Sequence, residues 1–288
     1  MSLISCIKSF PVVVIKRCFF LFLCLLSVNL VVAQNDTTYQ KGYILVINAY
    51  TEATSWSSRM ISTITRFVAE DPQLAVYTEH MNMMLIDDDA ADLEEFKSAL
   101  FERYGAYPPR LLLLLGDPAL LLKEDFKRVW GDIPMVLCAE KDYTGPDEYY
   151  LHKEVIPQAE RIPMTELADP YNLVLLYSDL YIRKNVELIS QMTPDMKKFI
   201  FIGDERFINV TNEAEVREII RKKYPHVEYE YLSPQILPIN LLIDSLYRVD
   251  AKTTGILFSS WYYKRTFAGN TSLVTNAYKV ITTVSAPL

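Results

Sequence analysis

One stretch limits what this chain can fold into more than any other: Gly42 to Arg59, GYILVINAYTEATSWSSR. Its apolar run, Tyr43-Ile44-Leu45-Val46-Ile47, is too short for a helix and carries β-branched residues. That pattern predicts a strand buried on both faces, as in a parallel sheet. The strand ends at Asn48-Ala49-Tyr50, and Ser55 is placed to cap a helix that begins near Trp56. A buried strand feeding a loop and then a helix is the first half of a βαβ unit. In open parallel sheets, ligands bind beyond the carboxyl ends of the strands, where such loops lie.

The same rhythm repeats. Residues 56, 60, 61, 64, 67 and 68 are apolar at helical spacing, and Leu74–Tyr77 reads as a second strand. An amphipathic helix is expected over Ala90–Tyr104, preceded by Asp87-Asp88-Asp89. This triplet reads as helix-start charge rather than a calcium loop, since no glycine turn or distal glutamate completes one. Arg110–Leu115 is the most hydrophobic run after the leader and closes on Gly116-Asp117-Pro118. Asp117 is therefore expected to cap a helix from about Ala119 to Trp130, with proline at its first position. Met135–Cys138 is the fourth strand. Residues 42–140 thus read as a doubly wound first lobe, with Tyr43–Ile47 as its central strand.

Residues 141–170 break the pattern with charges, tyrosines and Pro146, Pro157 and Pro163, and read as an irregular crossover between lobes. Regularity returns over 171–288. Strands are expected at Asn172–Tyr177, Lys198–Asp204, Val227–Leu232 (near a sheet edge) and Gly255–Phe258. Helices are expected at Asp179–Met192, from an Asn212/Glu215 capping box to Lys223, at Ile239–Val249, and around Ser272–Tyr278, before a last run Val280–Val284. The fold class is α/β, with two doubly wound parallel-sheet lobes.

Residues 1–33 read as a secretory leader. Lys8, Lys16 and Arg17 precede the apolar segment Cys18–Val32, and Val31-Val32-Ala33 offers a cleavage position before Gln34. An uncleaved anchor is the alternative, although an apolar core of about 15 residues falls short of the ~20 needed to span a bilayer. Gln34–Lys41 is a polar lead-in. Cleavage removes three of the four cysteines and leaves Cys138 alone, so an exported product would have no internal disulfide. It also leaves 26 basic residues (29 less these three) against 36 acidic ones, or −10. That balance disfavours nucleic acid and anionic membrane surfaces as partners. The address expected is exported, periplasmic.

Only 8 of 288 residues are glycine, and neither GxGxxG nor GxxxxGK[ST] occurs, so dinucleotide and P-loop phosphate cradles are disfavoured. No GxSxG elbow is present. The three histidines (His80, His152, His226) are too few and too scattered to suggest a multi-histidine metal site. Cys138 reads as an inert strand-end thiol. No cofactor and no metal are expected.

The order of the leader, ILVINAYTEATSW, Glu79-His80-Met81-Asn82, PPRLLLLLGDPA, IPMVLC and NVELISQMTPDMKKFIFIGDE resembles the type I periplasmic-binding fold. It is most similar to the periplasmic input regions of bacterial hybrid two-component histidine kinases, which are themselves similar to ABC-transporter substrate-binding components. The resemblance covers roughly 42–288. It implies a non-enzymatic sensory module that closes two lobes on a small ligand, with a homodimer through the sensor lobes left open. In that family the chain crosses back to complete the first lobe after the run that here ends Ser285-Ala286-Pro287-Leu288, so the second lobe and return segment are expected to be incomplete.

On that reading the cleft is lined by strand-end loops. Asn48, Tyr50, Thr54, Trp56, Glu79, His80, Gly116 and Asp117 come from the first lobe, and Asp204, Ser260, Trp261 and Tyr262 from the second. Trp56 at a helix start is equally an ordinary packing residue, and a lone His80 is more often structural. The competing class is an exported α/β enzyme using Glu79, His80 or Asp117, which predicts turnover lost with those side chains. A soluble transport receptor differs from a sensor in whether a membrane span accompanies the binding region.

Overall fold

Two parallel sheets follow one another along the chain. The structure, a computed structural model, describes residues 42–86, 90–267 and 270–274. The leader, the lead-in 34–41, the triplet Asp87-Asp88-Asp89 and the run Val280–Val284 lie outside the described residues.

In chain order, β1 (Tyr43–Asn48) leads through α1 (Ser55–Val68), β2 (Ala75–His80) and α2 (Ala91–Tyr104) to β3 (Leu111–Leu115). A 3-10 segment, Asp117–Leu122, runs into α3 (Lys123–Trp130), and β4 (Met135–Ala139) follows. Two short antiparallel strands, β5 (Tyr143–Thr144) and β6 (Ile162–Pro163), bracket α4 (Asp147–Leu151) before β7 (Leu173–Tyr177). The second half contains α5 (Ile182–Met192), β8 (Lys198–Ile202), α6 (Phe207–Lys223), β9 (Glu228–Leu232), α7 (Ile239–Tyr247) and β10 (Thr254–Phe258). It continues into the antiparallel pair β11 (Tyr263–Phe267) and β12 (Asn270–Val274).

The first sheet has five parallel strands in the order β2-β1-β3-β4-β7, and the second has three in the order β10-β8-β9. Both orders reverse direction beside their first strand, between β1 and β3 in one sheet and between β8 and β10 in the other. At such a switch point the two outgoing loops diverge to opposite faces and leave a crevice beyond the strand ends. This is the feature that positions the candidate site.

The apolar runs of β1, β3 and β4 in the first sheet and of β8 in the second are covered on both faces, whereas the edge strand β7 leaves Val174 and Leu176 exposed. On one face of the first sheet, Val46, Leu113, Leu115 and Cys138 pack under Trp56, Met60, Ile61 and Ile64 of α1. On alternate positions Leu45, Ile47, Leu112, Leu114 and Leu137 are fully buried. In the second sheet Phe199 and Phe201 meet α5 and α6 through Val186, Ile189, Val216 and Ile219, whereas Ile200, Ile202 and Ile256 meet Leu242 and Leu246 of α7.

Several sequence expectations are corrected. The central strand of the first sheet is β3, with β1 next to it. Strand β7 is the fifth member of that sheet, in register with β4 from Met135↔Leu173 to Ala139↔Tyr177, so residues 141–170 connect two neighbouring strands of one sheet and the first sheet extends past residue 140. Helix α1 starts at Ser55 itself, and the residue before it, Thr54, turns its hydroxyl toward Thr51 rather than onto the helix end. Asn212 and Glu215 sit inside α6, which begins at Phe207 because the Asp204 carboxylate accepts from the Arg206 backbone N–H and turns the chain there. The helix expected around Ser272–Tyr278 is a strand as far as Val274, with Thr271 paired to Thr266 and Val274 to Tyr263; the rest lies outside the described residues. Among the described residues no helix is long and apolar enough to cross a membrane.

Candidate functional site

The two switch points face one another across a cavity of about 400 Å³. From the first sheet come Tyr50, Thr54 and Trp56 after β1, Glu140 after β4 and Leu180 after β7. From the second come Arg206, Asn209 and Asn212 around the start of α6, and Ser260, Trp261 and Tyr262 after β10.

Asp204 organises the second wall. It is fully buried at the end of β8, and every hydrogen bond it makes is to a residue that shapes the cavity. Its Oδ1 accepts from Arg206 Nε at 2.9 Å and Asn209 Nδ2 at 2.5 Å, and its Oδ2 from Ser260 Oγ at 2.7 Å and the Tyr262 backbone N–H at 3.1 Å. Arg206 Nη2 also donates to Ser260 Oγ at 2.5 Å. The guanidinium lies between two aromatic rings, 4.7 Å from the centre of Tyr262 and 5.5 Å from that of Tyr50. Burial opposes the charge of Arg206, but Asp204 outweighs it by charge and hydrogen bond, and the pKa is raised.

The first wall is built on Gly116 and Glu140. Gly116 has φ +90°, and a Cβ there would stand 2.8 Å from Tyr50 Cε2, so only glycine lets the Tyr50 ring lie over the turn after β3. The Tyr50 hydroxyl donates to Glu140 Oε2. Burial first, then the charges of Glu140 and Asp117, push the phenol well above its ordinary pKa and keep it a donor. Asp117 is buried under this loop. Its Oδ1 accepts the Glu140 N–H at 2.8 Å, whereas Oδ2 has no hydrogen-bond partner among the described residues. Burial, followed by repulsion from Glu140, raises the Asp117 pKa well above the usual carboxylate range, and burial raises that of Glu140.

Contacts already join the walls. Tyr262 OH donates to the Ala53 carbonyl at 3.3 Å, the buried Lys141 ammonium reaches Asn212 Oδ1 at 3.0 Å and Glu215 at 3.3 Å, and the Tyr150 and Phe207 rings lie 4.6 Å apart.

Of the twelve residues singled out in the sequence, Tyr50, Thr54, Trp56, Ser260, Trp261 and Tyr262 line this cavity. Trp261 is only 1% exposed and packs with Leu242 and Ile256 in the second core, so most of its ring is structural. Gly116, Asp117 and Asp204 stand behind the walls, and Asp117 anchors Glu140 instead of capping a helix. The remaining three are held away from the cavity. Asn48 Nδ2 lies 2.9 Å from His80 Nδ1 and its Oδ1 accepts the Tyr50 N–H, while Glu79 accepts from Tyr104 OH at 2.7 Å and pairs with Arg103. The sequence did not mark Glu140, Arg206 or Asn209, and marked Asn212 only as part of a capping box. Glu140 directly follows the Cys138-Ala139 strand end and Arg206 lies two residues after Asp204, so extending each strand end by two residues would have found both.

Comparison with protein-family models and with characterised proteins finds no match to this chain. Cys138 is a free, buried thiol whose pKa is raised by burial, and its surroundings supply no activation. Among the described residues, no group of three or more His, Cys, Asp or Glu side chains could hold a metal ion.

Proposed function

We propose that this chain is an exported binding module that holds a small ligand between its two sheets, and that it acts as the sensory input region of a membrane histidine kinase. The observation that carries the binding role is the convergence of two switch points on one cavity whose lining includes the Arg206 guanidinium and the Glu140 carboxyl group. The leader pattern and the resemblance to type I periplasmic-binding sensor regions support the exported, signalling part of the reading. A soluble transport receptor would bind in the same manner. In either case the ligand acts by favouring the conformation in which the walls meet, and only its differential affinity for that conformation drives a response.

The test is a melting screen of the full chain against small metabolites. A compound that raises the melting temperature and is recovered unchanged supports the binding role. A cooperatively melting protein that no compound stabilises counts against it, and consumption of the stabilising compound points to an enzyme.

A further inference from the structure

Strand β7 is the edge of the first sheet opposite β2, and among the described residues it pairs with β4 alone. Its even-numbered residues face β4: the Asn172 carbonyl accepts from Met135 N–H at 3.0 Å, and Ser178 N–H donates to the Ala139 carbonyl at 3.2 Å. The odd-numbered residues of such a ladder turn their backbone groups the opposite way. The Leu173 N–H is taken by the Ala168 carbonyl at 2.9 Å, so Leu175 and Tyr177 are left to present N–H and C=O off the edge of the sheet. Edge strands are ordinarily guarded by charge or proline, and Leu173-Val174-Leu175-Leu176-Tyr177 has neither. Val174 and Leu176 share one face of the strand and are 58% and 54% exposed. Tyr177, Leu180 and Tyr181, also exposed, line a common hollow beside its end.

We propose that this edge is the seam of a homodimer, and that what docks on it is β7 of a second copy, antiparallel across a two-fold axis. With Leu175 opposite Tyr177 of the second copy, the two residues exchange N–H and C=O, and the axis repeats the exchange. Leu176 then meets Leu176 of the second copy at the close approach of a non-hydrogen-bonded pair. Charge selects the antiparallel sense. Residues 164–172, before the strand, hold Glu166 and Asp169 and no cation, whereas residues 178–184, after it, hold Arg183 and Lys184 against Asp179. Antiparallel docking brings the acidic end of one copy to the basic end of the other, and parallel docking would set like beside like. A strand of 5 residues supplies less than the roughly 800 Å² each partner gives to a stable interface, so Tyr177, Leu180 and Tyr181 extend the seam. The dimer does not depend on the ligand-binding reading above.

Sedimentation equilibrium of the purified chain over about 1–100 μM is the test. The expected result is a monomer–dimer equilibrium whose dissociation constant rises at least about tenfold in Leu176→Lys and in Val174→Lys. Both variants are expected to keep the melting temperature that the unchanged chain shows when dilute, because the substituted side chains are exposed in the monomer. A monomer at every concentration overturns the proposal. Association that neither substitution weakens places the contact on another surface and overturns it as well. Loss of cooperative melting in both variants, or a fall of about 4 °C or more in their melting temperature, shows that the chain covers its own edge, which also overturns it.

Discussion

Arg206 Nε donates to Asp204 Oδ1 at 2.9 Å, and neither charge has another oppositely charged side chain within ion-pairing distance among the described residues. The pair is the joint between fold and site: the aspartate is tied to β8 and to the loop after β10, and the arginine carries that rigidity into the cavity. Removing one member of a buried pair leaves the other uncompensated. Asp204→Ala is expected to cost about 3–5 kcal/mol in urea unfolding. A loss below about 1 kcal/mol would show that water replaces the carboxylate.

Gly116 and Tyr50 form the equivalent joint in the first sheet. Gly116→Ala combines a strained φ of +90° with a Cβ only 2.8 Å from the Tyr50 ring. Its expected cost is about 1–3 kcal/mol, accompanied by displacement of Tyr50 from Glu140. Urea unfolding gives the first number, and the phenol titration in the ultraviolet reports the second as a fall in the Tyr50 pKa toward its ordinary value.

Much of this architecture is legible in the sequence, and the exceptions have physical causes. The runs Tyr43–Ile47, Arg110–Leu115 and Lys198–Ile202 announce buried parallel strands because sheets covered on both faces require continuous apolar residues. Strand β7 is equally apolar, and only its pairing with β4, a tertiary fact, assigns it to the first sheet. The capping-box spacing of Asn212 and Glu215 misleads because both side chains serve Lys141 instead. Tyr50 and Tyr262 could be found as strand-end aromatics. Arg206 could not be weighed from sequence, because its importance lies in the two rings and one carboxylate that fold around it.

The buried carboxyl groups give stability a pH dependence of a definite sign. Burial first, then mutual repulsion, raises the folded pKa of Asp117, and burial raises that of Glu140. Above the unfolded carboxylate range, near pH 4, the folded state therefore binds more protons than the unfolded one. Their contribution is fully present below that range and is lost as pH rises through the folded values, by up to about 1.4 kcal/mol per pH unit for each group. Asp117→Asn keeps an acceptor for the Glu140 N–H and removes one titration. Its melting temperature is expected to match that of the unchanged protein near pH 4 and to exceed it at pH 8. Parallel pH profiles for the two proteins would contradict this.

Lys141 ties the loop after β4 to α6 through Asn212 and Glu215. Lys141→Met keeps the buried stem and deletes the ammonium, leaving Asn212 Oδ1 without its donor. A loss of about 1–3 kcal/mol is expected in chemical denaturation. If the contact holds the walls together, amide exchange in α6 rises more than in β3.

The central claim is that ligand is held between Trp56 of the first sheet and Arg206 of the second. Calorimetric titration of the stabilising compound tests it most directly, using the unchanged chain, Trp56→Ala and Arg206→Lys, each first shown to melt cooperatively. Arg206→Lys keeps a cation beside Asp204 but loses the forked donors. The account predicts one site per chain, weakened by at least about tenfold, or 1.4 kcal/mol, in each variant. Unchanged affinity in both folded variants would contradict it.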